Sequence, residues 1–253
     1  MKNKNNNPTD KQKNHNETNN NKTNLIRIQK LISNYGYCSR RKAEELIKKG
    51  LVKVNDKIVR LGDKATENDE IFINGKKIEK KNQKKIYILL NKPFGYTTSM
   101  SDPHEKKLVK DLIKIKERIF PIGRLDKWTS GMLILTNDGL FANKVMHPKN
   151  KIKKTYYVKV DKNINDSHLN SLNGIDIDGR KVEAQLKRLS QNEFEITIHE
   201  GRNRIIRRML EKIGYKVKVL IRIKIGNLEL GHLKPGYWRF LKEKDLDMIF
   251  SKN

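Results

Sequence analysis

One carboxylate in this 253-residue chain stands among cations in a way that could support nucleophilic or base chemistry. It is Asp126, in the loop Gly123-Arg124-Leu125-Asp126-Lys127-Trp128-Thr129-Ser130-Gly131, between Pro121 and the apolar run 132–135. An aspartate held ionised by neighbouring cations suits a nucleophile or a base better than a general acid. Two further clusters share this polar character. Lys154-Thr155-Tyr156 opens a strand, and Glu200-Gly201-Arg202-Asn203-Arg204-Ile205-Ile206-Arg207-Arg208-Met209 is a glycine turn leading into a helix. The ordinary reading of Asp126 is a salt bridge to Arg124, Lys127 or an Arg of 202–208. On periodicity alone Tyr157 would serve as well as Tyr156 as a half-buried strand residue. The six His show no metal-ligand spacing, so no metal is assigned.

These clusters need elements to position them. Residues 1–24 hold ten Asn and no apolar side chain after Met1, so nothing offsets their ordering entropy and a disordered tail is expected. Ile28, Leu31 and Ile32 repeat at helical spacing and predict a helix ending at Tyr35-Gly36-Tyr37. Ser39 can cap a second helix with Ala43, Leu46 and Ile47 inward and Gly50 as its stop. Alternation at 51–54, a turn at Asn55-Asp56, a strand over 70–73 and the hairpin signal Asn74-Gly75 complete a small α+β domain over 25–75. Residues 76–85, with six Lys and Ile78 as the one apolar residue, read as a linker. A larger domain over 86–253 follows. Strands are predicted at 86–90, 132–136, 155–160, 182–189, 194–198 and 217–225, and helices at 107–113, 140–147, 166–172, 204–213 and 243–250. Strands dominate without βαβ regularity, so the fold class is α+β, with a mixed or antiparallel sheet in the larger domain. Phe94-Gly95-Tyr96 reads as a turn packed on the core rather than a stacking platform, and Trp238 as a core residue at a strand end.

The composition narrows the partners. The formal net charge is +27; the first 24 residues contribute five Lys against one Asp and one Glu, so the remainder is itself strongly basic. A dense anionic polymer, a nucleic acid, is the natural partner for such a surface. No apolar run approaches the roughly 20 residues of a membrane span, so no membrane partner is expected. The single Cys38 closes no intrachain disulfide, which fits a reducing compartment, and no secretory signal follows the N-terminus.

Order and spacing carry more than composition. Ile28-Gln29-Lys30-Leu31-Ile32, then Cys38-Ser39-Arg40-Arg41-Lys42-Ala43-Glu44-Glu45-Leu46-Ile47, then Gly50-Leu51-Val52-Lys53-Val54-Asn55 resembles the small RNA-binding domain first recognised in ribosomal protein S-four. The resemblance implies that Arg40, Arg41 and Lys42 face structured RNA. Downstream, the nineteen residues from Pro121 to Gly139 closely resemble the first motif of the pseudouridine synthases of the RsuA/RluB type. Leu90-Asn91-Lys92-Pro93-Phe94-Gly95-Tyr96 looks like that family's opening strand and turn. Lys154-Thr155-Tyr156 and 200–209 match its second and third motifs. Trp128 departs from the family's small or acidic residue, and Ile205 from its Gln or Glu.

Carried over by position, the resemblance makes Asp126 the catalytic aspartate and Tyr156 the aromatic that stacks on the target uracil and takes part in proton removal. Arg207 becomes the cation paired with the aspartate, with Arg202 as second choice. Arg124, Arg202 and Arg204 are expected RNA contacts. The reaction exchanges no electrons, so no cofactor is expected. The implied substrate is ribosomal RNA, more so of the large subunit, free or in partly assembled subunits. The implied enzyme is a monomer of the cytoplasm, or of an organellar matrix if the tail is an address. A non-catalytic RNA-binding assembly factor and an enzyme of small-subunit RNA are the alternatives. Binding through many phosphates releases many counterions, so affinity for an RNA transcript is expected to fall by about 10³-fold or more between 50 and 200 mM salt. A filter-binding titration with a shallow salt slope would contradict that.

Overall fold

The computed structural model describes residues 24–80 and 83–251, in two units that divide between Asn82 and Gln83. The tail expected over 1–24 therefore lies, apart from Asn24, outside the described residues.

In the first unit the order is β1 (Ile26–Arg27), α1 (Ile28–Asn34), α2 (Arg40–Lys48), β2 (Val52–Val54), β3 (Lys57–Ile58), β4 (Lys64–Ala65), β5 (Ile71–Ile73) and β6 (Lys76–Ile78). The helical spacing buries Ile28, Leu31 and Ile32 from α1 and Ala43 and Ile47 from α2 against Val52, Ile71, Ile73 and Ile78 of the strands. Ser39 caps α2 as expected, its hydroxyl accepting the Lys42 backbone N–H at 3.0 Å. The linker assigned to 76–85 is corrected at its start. The Asn74-Gly75 turn returns the chain as β6, which pairs with β5 from Ile73↔Lys76 to Ile71↔Ile78. Lys76 and Lys77 point to water and only Ile78 enters the core, so composition hid a strand that backbone pairing specifies.

The second unit is built on one large mixed sheet. Its strands are β7 (Tyr87–Lys92), β8 (Phe120–Pro121), β9 (Ser130–Thr136), β10 (Lys154–Val160), the small hairpin β11 (Asp176–Ile177) and β12 (Arg180–Lys181), β13 (Ala184–Arg188), β14 (Glu193–Ile198), β15 (Val217–Ile225), β16 (Leu228–Glu229) and β17 (Trp238–Phe240). The sheet runs β13-β14-β10-β15-β9-β7-β17, with β16 on β15 and β8 on β9, and β11–β12 stands apart. The helices are α3 (Gly139–Met146), α4 (Asp166–Ser171), α5 (Ile205–Lys212) and α6 (Glu243–Phe250). Where a helix was expected over 107–113 the chain makes a single 3₁₀ turn, Val109–Leu112, with the Asp111 carboxylate accepting the Leu108 N–H at 3.1 Å. Among the described residues no helix is long and apolar enough to cross a membrane.

The unbroken apolar run in β9 follows from burial on both faces. Leu133 and Leu135 join one core with Ile206, Met209 and Leu210 of α5, while Met132 and Ile134 join a second with Ala142 and Val145 of α3 and Ile249 of α6. β7 divides likewise, with Ile88 and Leu90 on one side and Leu89 on the other.

The two halves of the sheet meet at one short parallel contact, Ser130↔Ile221 and Gly131↔Arg222 between β9 and β15. Gly131 has φ +101°, and a Cβ there would overlap the Arg222 carbonyl and lie 2.7 Å from its nitrogen. Arg222, 3% exposed, then reaches across to donate from Nε to the Met132 carbonyl at 2.7 Å. Only glycine fits this junction. Gly131→Ala is expected to cost at least ~2 kcal/mol through strain and overlap. Urea unfolding measures that cost, and an unchanged midpoint would contradict the reading.

Candidate active site

Thr129 and Leu220, the residues next to the junction between the sheet halves, line an open cleft of about 590 Å³. The loop 121–129 lines one side, including Arg124, Asp126 and Thr129; Tyr156 of β10 lies in it; and the 200–206 segment, including Arg202 and Arg204, closes the other side. Three sequence clusters far apart in the chain thus meet in one place.

Asp126 sits just before a tight turn, closed by the Thr129 N–H donating to the Asp126 carbonyl at 3.0 Å. The salt bridge expected for an ordinary acid is absent among the described residues. Lys127 pairs with Glu105 at 2.8 Å, Arg202 with Glu200, Arg204 with Glu211 at 3.8 Å and Arg208 with Asp178. Arg124 is exposed on the cleft wall.

Arg207 does not pair with Asp126 directly. It projects from α5 beneath the turn, 9% exposed, and donates to the Trp128 carbonyl at 2.6 Å and more weakly to that of Val217 at 3.5 Å; its Nε is buried without a partner. Burial and the neighbouring Arg204 push its pKa down, against the attraction of Asp126 and Glu211. Its charge therefore acts on Asp126 through space, while its hydrogen bonds hold the backbone. Arg202 is further from the expected role. Its fork binds Glu200 and the carbonyls of Ile177 and Arg180, tying the β11–β12 hairpin to the loop.

Strand alternation separates the two tyrosines. Tyr156, 9% exposed, belongs to the core beside the cleft, while Tyr157 on the other face of β10 is held by Glu193. A register shift against β15 falls between Thr155 and Tyr156, placing Tyr156 opposite Arg222. Bulges of this kind re-aim a side chain next to a functional site.

In the first unit, Arg40 and Arg41 are exposed in the first turn of α2, which carries no acidic residue there. Lys42 is also exposed but is paired with Glu45 at 3.0 Å. An anion at this helix terminus would meet both the dipole and the two exposed guanidinium groups of Arg40 and Arg41.

Sequence reasoning passed over Lys92. It lies at the end of a strand whose other residues are apolar or Asn, and it is fully buried. Its ammonium donates to the carbonyls of Thr129 at 2.8 Å, Pro93 at 3.0 Å and Lys127 at 3.4 Å. The signal was a lysine continuing a run buried on both faces. The reading of Phe94-Gly95-Tyr96 as a turn packed on the core holds for Tyr96, which packs against the main core, but not for Phe94. Phe94 is 61% exposed and lies against Trp128, with ring centroids 4.9 Å apart. Trp238 is partly buried against the main core, at the start of the edge strand β17. No cluster of three or more His, Cys, Asp or Glu that could hold a metal occurs among the described residues.

Removal of the Lys92 ammonium would leave turn carbonyls buried without donors, a cost of roughly 1–3 kcal/mol for each group left unsatisfied. Lys92→Met is therefore expected to lower stability in urea unfolding. Burial pulls the Lys92 pKa down to about 8, against ~10.4 in an unfolded chain. Between those values the folded state binds fewer protons than the unfolded, so this group adds stability as pH rises from 8 to 10.5. The wild type should gain on Lys92→Met across that window, and parallel pH profiles would contradict the assignment.

Comparison with known proteins assigns a family to the chain. The RNA pseudouridylate synthase family matches residues 86–212, and the S4 domain matches residues 26–71. The chain is 48% identical over 235 residues to ribosomal large subunit pseudouridine synthase B of Bacillus subtilis, covering 89% of this chain and 96% of that protein. It is 43% identical to an uncharacterized RNA pseudouridine synthase of Aquifex aeolicus, covering 89% and 94%, and 38% identical to the dual-specificity RNA pseudouridine synthase RluF of Escherichia coli, covering 89% and 78%. Among solved structures, a crystal structure of a pseudouridylate synthase superposes with a TM-score of 0.66 at 28% identity, over 88% of this chain and 99% of the other. With its S4 domain ahead of a cleft that joins Asp126 to Tyr156, this chain belongs to the RNA pseudouridylate synthase family.

Proposed function

We propose that this protein isomerises a uridine of ribosomal RNA to pseudouridine, with large-subunit RNA as its substrate. The observation that carries the reading is the Asp126 carboxylate, which forms no ion pair among the described residues and lies in a cleft shared with Tyr156 and bordered by cations. The similarity to the Bacillus subtilis large-subunit enzyme supports the choice of subunit.

The isomerisation breaks the bond from uracil N1 to ribose C1′, turns the freed base, and joins its C5 to the same C1′. The C5 proton leaves and N1 gains one, so atoms and electrons balance within the nucleoside. Asp126 acts at the ribose, as nucleophile or as base. Lys92 and Arg207 supply positive potential beside it, and their hydrogen bonds fix the turn on which it stands. Tyr156 stacks on the detached uracil, an interaction worth roughly 1–3 kcal/mol per base, and its hydroxyl is the group assigned to proton removal. Reaching the target requires the nucleotide to leave its stack, at a cost of a few kcal/mol that backbone contacts must offset. Arg124 and Arg204 on the cleft walls, and Arg40, Arg41 and Lys42 on α2, supply those contacts. Arg202 supports the wall through Glu200 and the hairpin and contributes charge more than a free fork.

The proposed acting species is a monomer. Cytoplasmic ribosomal RNA, free or within partly assembled subunits, is the proposed substrate, with no cofactor. The purified protein and its Asp126→Asn variant, incubated with unmodified transcripts of both ribosomal RNAs, test the proposal by carbodiimide adducts read as reverse-transcription stops. A single new stop in large-subunit RNA, reduced by several orders of magnitude in rate with Asp126→Asn, is expected. A stop that survives Asp126→Asn overturns the role of that residue, a stop in small-subunit RNA alone overturns the choice of substrate, and no stop on RNA or on ribosomal particles from cells lacking the protein overturns the activity.

A further inference from the structure

We propose that Phe94 and Trp128 form a shelf on which a base neighbouring the target uridine stacks, so that this pair reads the single-stranded context of the site. The proposal rests on the RNA-modifying function above and extends it to substrate recognition.

Two large aromatic side chains, 61% and 46% exposed, lie against each other at the corner of the turn that follows Asp126. Their rings are 4.9 Å apart and tilted by 42°, so each covers part of the other and leaves apolar surface open. Neither ring belongs to the cores of the unit. The support beneath them is rigid. Gly95, at φ +83°, donates its N–H to the Lys127 carbonyl at 2.9 Å, joining the two loops that carry the rings. The buried ammonium of Lys92 binds the same carbonyl, and Arg207 binds that of Trp128. Because these bonds use the backbone, they hold the Trp128 side chain outward without needing its ring.

Position and charge favour a nucleobase as the occupant. Asp126 and Trp128 are two peptide links apart, at most ~7.6 Å between Cα atoms. Stacked nucleotides advance ~3.4 Å each, so a base one or two positions from the reacting uridine reaches the shelf. The Lys127 ammonium lies 5.4 Å from the Trp128 ring centroid and complements the phosphates on either side of such a base, although Glu105 shares its charge. A single aromatic on a loop would be an ordinary exposed residue; a held pair beside the reacting carboxylate is a stacking surface of the kind that single-stranded RNA uses.

The test measures two quantities on the same ribosomal RNA transcripts: pseudouridine formed, and tryptophan fluorescence quenched on binding. Trp128→Ala is expected to lower kcat/KM by roughly 5- to 150-fold, the range of one lost base stack, and to abolish most of the quenching. Trp128→Phe should restore much of kcat/KM, and the thermal midpoint of Trp128→Ala should stay within a few degrees of wild type. Wild-type kcat/KM in Trp128→Ala, quenching unaffected by that change, or a loss matched by a fall in thermal midpoint and unrescued by Phe would each overturn the shelf. Failure of the enzymatic reading looks different. No pseudouridine on any transcript, with Trp128-dependent quenching intact, removes the activity and leaves the shelf supported as an RNA contact.

Discussion

An ammonium taken out of water must keep its hydrogen bonds, and the buried Lys92 meets that demand with three backbone carbonyls. Two of the three, those of Lys127 and Thr129, belong to the turn after Asp126. The carbonyl between them, of Trp128, is taken by Arg207. Three consecutive carbonyls thus point inward at two buried cations. These two cations hold the turn through its backbone, which leaves the side chains of Asp126 and Trp128 outside those hydrogen bonds. A loop held through side chains would have had to spend the groups it is there to present.

Around that turn, the sheet supplies position rather than chemistry. The parallel contact at Gly131 brings β15 against β9, and the irregularity in β10 sets Tyr156 opposite Arg222. α5 delivers Arg207 because its apolar face, Ile206, Met209 and Leu210, is seated in the core beneath the cleft. The residue just before this helix, Arg204, adopts a left-handed backbone conformation, φ +48°. That unusual value lets the 200–204 loop turn sharply along the cleft wall.

How much of this was legible depended on whether a residue acts through its own type or through its surroundings. Strand β15 and helix α6 lie over the residues that periodicity gave them, because their apolar spacing is set by the cores they enter. Asp126 and Tyr156 stand out through motifs, and the structure brings both to one cleft. Lys92 was hidden because a lysine is ordinarily read as a surface residue, and only the three-dimensional closure of the turn explains its burial. β6 was hidden because two of its three side chains are solvated lysines and its specification lies in the backbone. Arg202 and Arg207 carry the same charge and differ in what surrounds their forks, a carboxylate with two carbonyls for one and carbonyls alone for the other, which spacing along a chain cannot distinguish.

The junction at Gly131 also dictates an order of events. Its partner, Arg222, comes about 90 residues later in the chain. Contacts of such separation must overcome loop-closure entropy before they contribute, so they form late. At synthesis rates of ~5–20 residues per second, the Asp126 turn emerges some 5–20 s before the strand that completes its support. Throughout that interval the S4 unit, whose own pairings span residues 26–78, has all of its sequence in hand. A nascent chain can therefore hold a folded RNA grip before it owns a working cleft.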